Sequence, residues 1–266
     1  MAPMPPNVSI ILTIHNKESL VDSVIKAIAE NSTTNYEFLC ILDGCTDNSK
    51  NFAQNAIDKY TIPEYSICET PDVYETIANN IGMKEAKGDY FILVQDDMIV
   101  DEKGWDERLI KPLMAFDDVA IVSSRLACNI LPKKNIHNIH EDVFVDMADS
   151  NTIKSRDQFA IRKIIARGPV ALNAEKIKRL NYLDIEYAPY TWDDVDLCAR
   201  AYKEFGWLCG YYESKCISKP EWGTTRTKTA NAHFWNITCS RNSGIFYTRH
   251  SDFVNLPNLT QNRYLP

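Results

Sequence analysis

Hydrophobic positions in the first half of the chain fall into two alternating patterns. Val8-Ser9-Ile10-Ile11-Leu12-Thr13-Ile14 is a nearly unbroken β-branched run, as expected of a strand buried on both faces. After it, Leu20, Val21, Val24, Ile25 and Ile28 form one stripe at the helical period, which predicts an amphipathic helix. The unit recurs with a strand over 36–42 and a helix carrying Phe52, Ala53, Ala56, Ile57 and Tyr60 on one face. A strand near 65–68 then precedes a helix over about 73–86, and the apolar run 90–94 ends in Gln95-Asp96-Asp97. A helix near 105–116 and a strand over 119–123 follow.

Strand–helix alternation with short links predicts an α/β fold: a Rossmann-like, mostly parallel central sheet with helices on both faces. Ligands of such sheets bind beyond the carboxyl ends of the strands. The polar residues to watch are therefore those in 13–18, 43–47 and 95–97. From about 127 to 160 the pattern dissolves into polar sequence containing His137 and His140, which reads as an irregular excursion. Order resumes over 164–172 and in a helix over 174–180. An amphipathic helix over 195–205 starts directly after Trp192-Asp193-Asp194; Gly206 closes it, and 207–212 resembles one more strand. The remainder, 213–266, is polar with Trp222, Phe234 and Trp235 interspersed, and predicts an irregular extension packed on the core.

With 266 residues, 45% of them hydrophobic, the chain can fill the core of one large α/β domain. A net charge of −7, with no basic run longer than Lys133-Lys134, argues against nucleic acid as a partner. No stretch approaches the roughly 18 to 20 apolar residues of a transmembrane segment, and Met1 to Pro6 lack the features of a secretory leader. Eight scattered cysteines without a CxxC pair suit buried thiols, so a cytoplasmic location is expected.

Three acidic clusters fall at element ends. Asp43 follows an apolar strand and opens Gly44-Cys45-Thr46-Asp47, where it can serve as a turn residue or as a ligand contact. Asp96-Asp97 places adjacent carboxylates where repulsion and desolvation are both costly, and a divalent cation would remove the repulsion. Asp193-Asp194 opens a helix, and capping accounts for one acid but not for two. Trp192 beside them can be a sugar platform or core. Together the clusters suggest a cation that neutralises a departing diphosphate and a separate carboxylate that deprotonates a hydroxyl. A P-loop, a GxGxxG and a GxSxG motif are all absent from the chain.

The order of these segments resembles the family-two glycosyltransferases of the GT-A fold. Residues 8–18, ending His15-Asn16-Lys17-Glu18, are similar to that family's opening strand and Tyr-Asn-x-x-Glu turn. Asp43-Gly44-Cys45-Thr46-Asp47 is close to its Asp-Asp-Gly-Ser-Thr-Asp segment, and 80–90 matches Asn-x-Gly-x-x-x-Ala-x-Gly-x-Tyr. Trp192-Asp193-Asp194-Val195-Asp196-Leu197 looks like the Glu-Asp-Val-Asp-Leu segment near the acceptor. The likeness spans roughly 7–212, with 7–126 as the nucleotide-sugar half, 160–212 as the acceptor half and 213–266 as an extension. It implies an inverting, hexosyltransferase-like enzyme that uses Mn²⁺ or Mg²⁺. The donor would be a nucleotide sugar, guessed to be UDP-linked, and the acceptor a glycan, lipid-linked or other hydroxyl. Donor contacts are implied for Thr13, His15, Asn16, Glu18, Asp43, Asn80, Lys87, Gln95 and Asp96, a metal role for Asp97, and a base among Asp193 and Asp194, with Asp194 preferred. Two features depart from the family: Gln95 stands where the first Asp of Asp-x-Asp is usual, and Ser218-Lys219-Pro220-Glu221 occupies the stretch where many relatives carry a histidine. The processive Gln-x-x-Arg-Trp signature is absent, which implies addition of a single sugar. An inactive sugar-nucleotide or glycan-binding module and a nucleotidyltransferase are the alternatives.

Overall fold

The computed structural model describes residues 7–223 and 231–265; Met1 to Pro6, where no leader features are expected, lie outside them. Four parallel strands open the fold: β1 (Val8–Ile14), β2 (Tyr36–Asp43), β3 (Tyr65–Thr70) and β4 (Tyr90–Gln95). Helices α1 (Val21–Asn31), α2 (Ser49–Lys59) and α3 (Tyr74–Glu85) provide the crossovers. The short β5 (Ile99–Val100), helix α4 (Trp105–Ala115) and strand β6 (Val119–Ser123) come next. Beyond them run β7 (Leu126–Ile130), β8 (Phe144–Ala148), β9 (Gln158–Arg162), β10 (Ile164–Ala166) and β11 (Val170–Asn173). Helices α5 (Ala174–Arg179) and α6 (Asp193–Phe205) lead to β12 (Leu208–Tyr211) and β13 (Cys216–Ile217). Helices α7 (Ala232–Arg249) and α8 (Ser251–Val254) precede the last strand, β14 (Gln261–Tyr264).

These strands make a mixed sheet in the order β14-β9-β12-β6-β11-β4-β1-β2-β3. The half built from β4, β1, β2 and β3 is parallel, while β11 runs antiparallel between β4 and β6. Alternate side chains of each buried strand feed opposite faces. Ile10, Leu12 and Ile14 pack with α1, α2 and α4, whereas Ile11 packs with residues of α3, α6 and α7. Register aligns the strand ends, since Thr13 of β1 pairs with Ile41 of β2 and with Gln95 of β4. The polar residues that follow therefore emerge on one edge.

The excursion over 127–160 is more regular than its pattern predicts. It contains β7 and β8 of a three-stranded sheet and β9 of the main sheet. β9 is buried throughout and pairs with β12 and β14, so its partners lie far along the chain and leave no local period. The extension also holds regular structure. Eighteen-residue α7 buries polar Thr238, Asn242 and Ser243 along with Phe246 and Tyr247, which blurs any apolar stripe. Asn242 Nδ2 donates to the carbonyls of Tyr187, Tyr190 and Thr191, pinning α7 to the segment that leads into α6. Among the described residues, no helix is long and apolar enough to cross a membrane.

Candidate functional site

The loops after β1 and β2 are tied together by the residues singled out in the sequence. Asn16 adopts a left-handed φ of 50°, which asparagine tolerates, and its Oδ1 accepts from the amides of Thr46 (2.7 Å) and Asp47 (3.2 Å). Glu18 Oε2 accepts from the Asn48 amide at 3.0 Å. His15 Nδ1 lies 2.6 Å from the Asp43 carbonyl, which fixes the proton on that nitrogen, and Asn16 Nδ2 can then donate to Nε2 at 3.2 Å. Asp43 is buried, and its Oδ1 accepts from Thr70 Oγ1 (3.0 Å) and the Val73 amide (2.8 Å). Gly44 has a φ of +57°, and a Cβ there would stand 2.7 Å from Asp72 Cα. Glycine at 44 is thus required by backbone shape and close approach. Thr13 Oγ1 donates to Asn79 Oδ1 at 3.0 Å.

At the end of β4 the acids are less well served. Asp96 Oδ2 accepts from the His15 amide at 2.9 Å; burial pushes this carboxyl up to about 7, although that amide opposes the shift. Burial also raises Asp97, while the Lys17 ammonium opposes it. Lys17 is itself buried and donates to the Trp222 carbonyl. Among the described residues, Asp97 Oδ1 and Gln95 Oε1 are buried without a hydrogen-bond partner. Two unsatisfied oxygen acceptors in one pocket fit a hard divalent cation such as Mn²⁺ or Mg²⁺. His15, Asp43 and Asp72 also bring ligand atoms within 4.8 Å of one another. The two bonds to Asp43 Oδ1 and the contact of His15 Nδ1 with a carbonyl suit that group to bracing the loops.

These residues line two cavities. The smaller, about 190 Å³, includes Thr13, His15, Lys17, Gln95, Asp96 and Asp97 in its wall. The larger, about 440 Å³, is walled in part by Arg125, Lys133, Trp192, Asp193 and Asp194. Glu75, Gln95, Tyr190 and Trp235 line both, so the cavities share a seam. Tyr74, Tyr190 and Phe234 cluster at that seam with ring centroids about 6 Å apart.

The start of α6 differs from the capping expectation. Thr191 (φ 70°) and Trp192 (φ 68°) are both left-handed, and Trp192 itself takes the N-cap position without a side-chain cap bond. Such consecutive strain in non-glycine residues persists only where surrounding contacts hold it. The Trp192 ring is held by Phe246, Tyr247 and Phe144, with Lys133 Nζ 5.4 Å from its centroid. It is therefore largely packing, with one part lining the larger cavity. Asp193 is buried, and its Oδ2 lies 2.6 Å from Arg167 Nη2 and accepts from Thr76 Oγ1 at 2.8 Å. Asp194 turns elsewhere: its oxygens accept from the amides of Arg167 and Val195, each at 2.9 Å. Burial pushes the Asp194 carboxyl up to about 6 against the pull of Arg167, and the residue is only half-buried. A carboxylate so placed can take a proton near neutral pH.

Two expected donor contacts lie elsewhere. Asn80 is buried and spends its amide on the backbone of Leu183, at 2.8 and 3.0 Å. Lys87 precedes β4, at the opposite edge of the sheet from Gln95, and pairs with Glu64 at 3.1 Å. The matching run 80–90 is the last turns of α3 and its link to β4, where Gly82 and Gly88 allow close approach to Ile11 and Ser9 of β1. Conversely, Glu75 and Arg167 were not singled out, yet Arg167 forms ion pairs with both Glu75 (Nη1, 3.0 Å) and Asp193 (Nη2, 2.6 Å). The available signal was an arginine set in the otherwise apolar stretch 164–172.

Comparison with known proteins gives a consistent picture. The model of "Glycosyl transferase family 2" matches residues 9–173. A Haemophilus influenzae protein described as an uncharacterized glycosyltransferase is 34% identical over 99 residues, 37% of this chain and 39% of that protein. A mannosyltransferase from Pyrobaculum calidifontis, solved with GDP-Man and Mn²⁺, has a TM-score of 0.58 at 16% identity, covering 88% of this chain and 61% of its own. Glucosyl-3-phosphoglycerate synthase from Mycobacterium tuberculosis, solved with Mn²⁺, UDP and phosphoglyceric acid, has a TM-score of 0.58 at 12% identity. The shared part is 98% of this chain and 87% of the synthase. At these identities the solved structures establish a common fold, GT-A.

Proposed function

The chain belongs to glycosyl transferase family 2, and from that premise we propose that it transfers a single sugar, with inversion, from a nucleotide-diphospho-sugar to an acceptor hydroxyl. UDP is the proposed nucleotide, and a glycan, lipid-linked or other hydroxyl compound the acceptor. In this reading 7–126 form the donor half and 160–212 the acceptor half, with 213–266 as an extension whose described residues pack on the core. The donor's base and ribose sit over the loops braced by His15, Asn16, Glu18 and Asp43. Gln95, Asp96 and Asp97 face its diphosphate. Asp97 would hold Mn²⁺ or Mg²⁺, which when bound neutralises charge on the departing diphosphate. Asp194 accepts the acceptor's hydroxyl proton as that oxygen bonds to the anomeric carbon. The bond from this carbon to the diphosphate oxygen breaks, and its electron pair leaves with the nucleoside diphosphate. Eight cysteines without a disulfide support action in the reducing cytoplasm.

One observation carries the reading: Asp194, raised to about 6, lines a cavity that shares a wall with the one holding Asp97. A base across a seam from the leaving group is the arrangement that inversion requires. A thermal-shift panel of UDP-, GDP- and dTDP-sugars with Mn²⁺ tests the donor class. A rise in melting temperature confined to UDP-sugars is expected; a rise with GDP-sugars alone would reassign the nucleotide, and no rise with any donor would remove the donor site.

A further inference from the structure

Gln95 lacks the charge an aspartate would carry, and a carboxylate stands beside it. Gln95 Nε2 donates to Glu75 Oε1 at 3.0 Å, from strand β4 to helix α3. A carboxylate presents only acceptors, so the amide must face Glu75 with its nitrogen and turn Oε1 away. That oxygen is buried and without a partner among the described residues, as is Asp97 Oδ1, and both residues line the smaller cavity. A glutamine serving only to bridge β4 and α3 would have no reason to bury an unsatisfied carbonyl, which is costly. The same Glu75 oxygen lies 3.0 Å from Arg167 Nη1, whose Nη2 is 2.6 Å from Asp193. One guanidinium thus serves two carboxylates, leaving one net negative charge among these three groups.

We propose that Glu75 and Gln95 together replace the missing acid of the cation site: Glu75 holds the amide so that Gln95 Oε1 is a cation ligand, and supplies the negative charge from α3. Glu75 is a positioning residue in this scheme. Its charge-assisted hydrogen bond polarises the amide and makes Oε1 a stronger donor of electron density. The arrangement rests on the cation reading given above and specifies which oxygens complete that site. It also links the cation end to the base end, because Arg167 forms ion pairs with both Glu75 and Asp193.

The test is binding of Mn²⁺ alone to the whole chain, read from the paramagnetic resonance signal of free Mn²⁺. Removing the support of a metal ligand typically costs 10- to 100-fold in affinity. Glu75→Gln should weaken Mn²⁺ about tenfold, and adding Gln95→Asp to that variant should restore affinity to within about threefold of the parent, by the same principle. Should Glu75→Gln fold poorly for want of its Arg167 pair, Gln95→Leu removes the proposed ligand oxygen itself and should weaken Mn²⁺ at least as much. Unchanged affinity in the folded variants, or no rescue by Gln95→Asp, overturns the proposal. Asp97→Asn separates the two levels: if it abolishes Mn²⁺ binding while the Glu75 and Gln95 variants do not, only this inference fails. If Asp97→Asn also binds Mn²⁺ normally, the cation reading itself falls.

Discussion

The two ends of the site are built on opposite plans. At the end of β4, Asp97 and Gln95 each bury an oxygen that nothing in the described protein satisfies. At the start of α6, both oxygens of Asp193 are engaged, by hydrogen bonds from Thr76 Oγ1 and the Asp194 amide and by a 2.6 Å ion pair with Arg167, whose Nη2 makes no hydrogen bond among the described residues. An end lacking partners is completed by what binds to it, whereas a saturated end is assembled in advance and serves as a frame. The difference implies that substitutions at the first end change binding with little effect on stability, and that the reverse holds for the framing acid.

The largest expected effect sets Asp194 against its neighbour. A general base contributes about 10²- to 10⁴-fold to rate, so Asp194→Asn should lose transfer on that order while binding donor and melting normally. Asp193→Asn should instead cost about 3 kcal/mol, because it breaks a buried ion pair and not merely a helix cap. For a chain of this size that lowers the melting temperature by about 10 °C. Parallel assays of transfer and thermal unfolding decide the matter, and near-normal transfer by Asp194→Asn would end its role.

At the incomplete end, Asp97→Asn should lose cation-dependent UDP affinity in calorimetry and leave the melting temperature unchanged or raised. Removing a raised, under-partnered carboxylate relieves its desolvation. A large fall in melting temperature would show that Asp97 belongs to the frame after all.

The pH profile sharpens the contrast further. Asp194 must be deprotonated to act, so activity should fall as pH drops through about 6, with one ionisation, and Asp194→Asn should lack that limb. Its linkage to stability has the opposite sense. The folded carboxyl binds its proton more tightly than the unfolded one, so its contribution is full below the unfolded value of about 4 and is lost as pH rises through about 6. A stability curve that climbs over this window in the parent, relative to Asp194→Asn, would contradict the shift. The smallest effect is expected at Lys87, whose exposed pairing with Glu64 lies across the sheet from the cavities. Lys87→Ala should leave the donor KM within twofold by steady-state kinetics.

How legible each region was follows the same physics. β1, β2 and β4 are buried on both faces, so each appears as an apolar run whose end marks a ligand edge. Asp43 and Asp97 drew notice because they stand at or just past such ends, and Asp194 because it is one of two adjacent acids opening α6. β9 and α7 could not: β9 is defined by distant partners, and α7 buries asparagine and serine that look like surface in a sequence. Glu75 and Arg167 escaped because their importance is an ion pair joining α3 to the β10–β11 loop, which no spacing encodes. Lys87 illustrates the opposite error, in which a motif match marked a connector as a ligand contact.

The central claim is that donor and base ends meet in one working site, and release of nucleoside diphosphate tests it most directly. UDP-, GDP- and dTDP-sugars, incubated with the chain and Mn²⁺ without acceptor, should show slow donor hydrolysis with at least one of them. That release should vanish in EDTA and in Asp97→Asn. No release from any donor, by a chain that still binds one of them, would contradict the account and leave a sugar-nucleotide-binding module in its place.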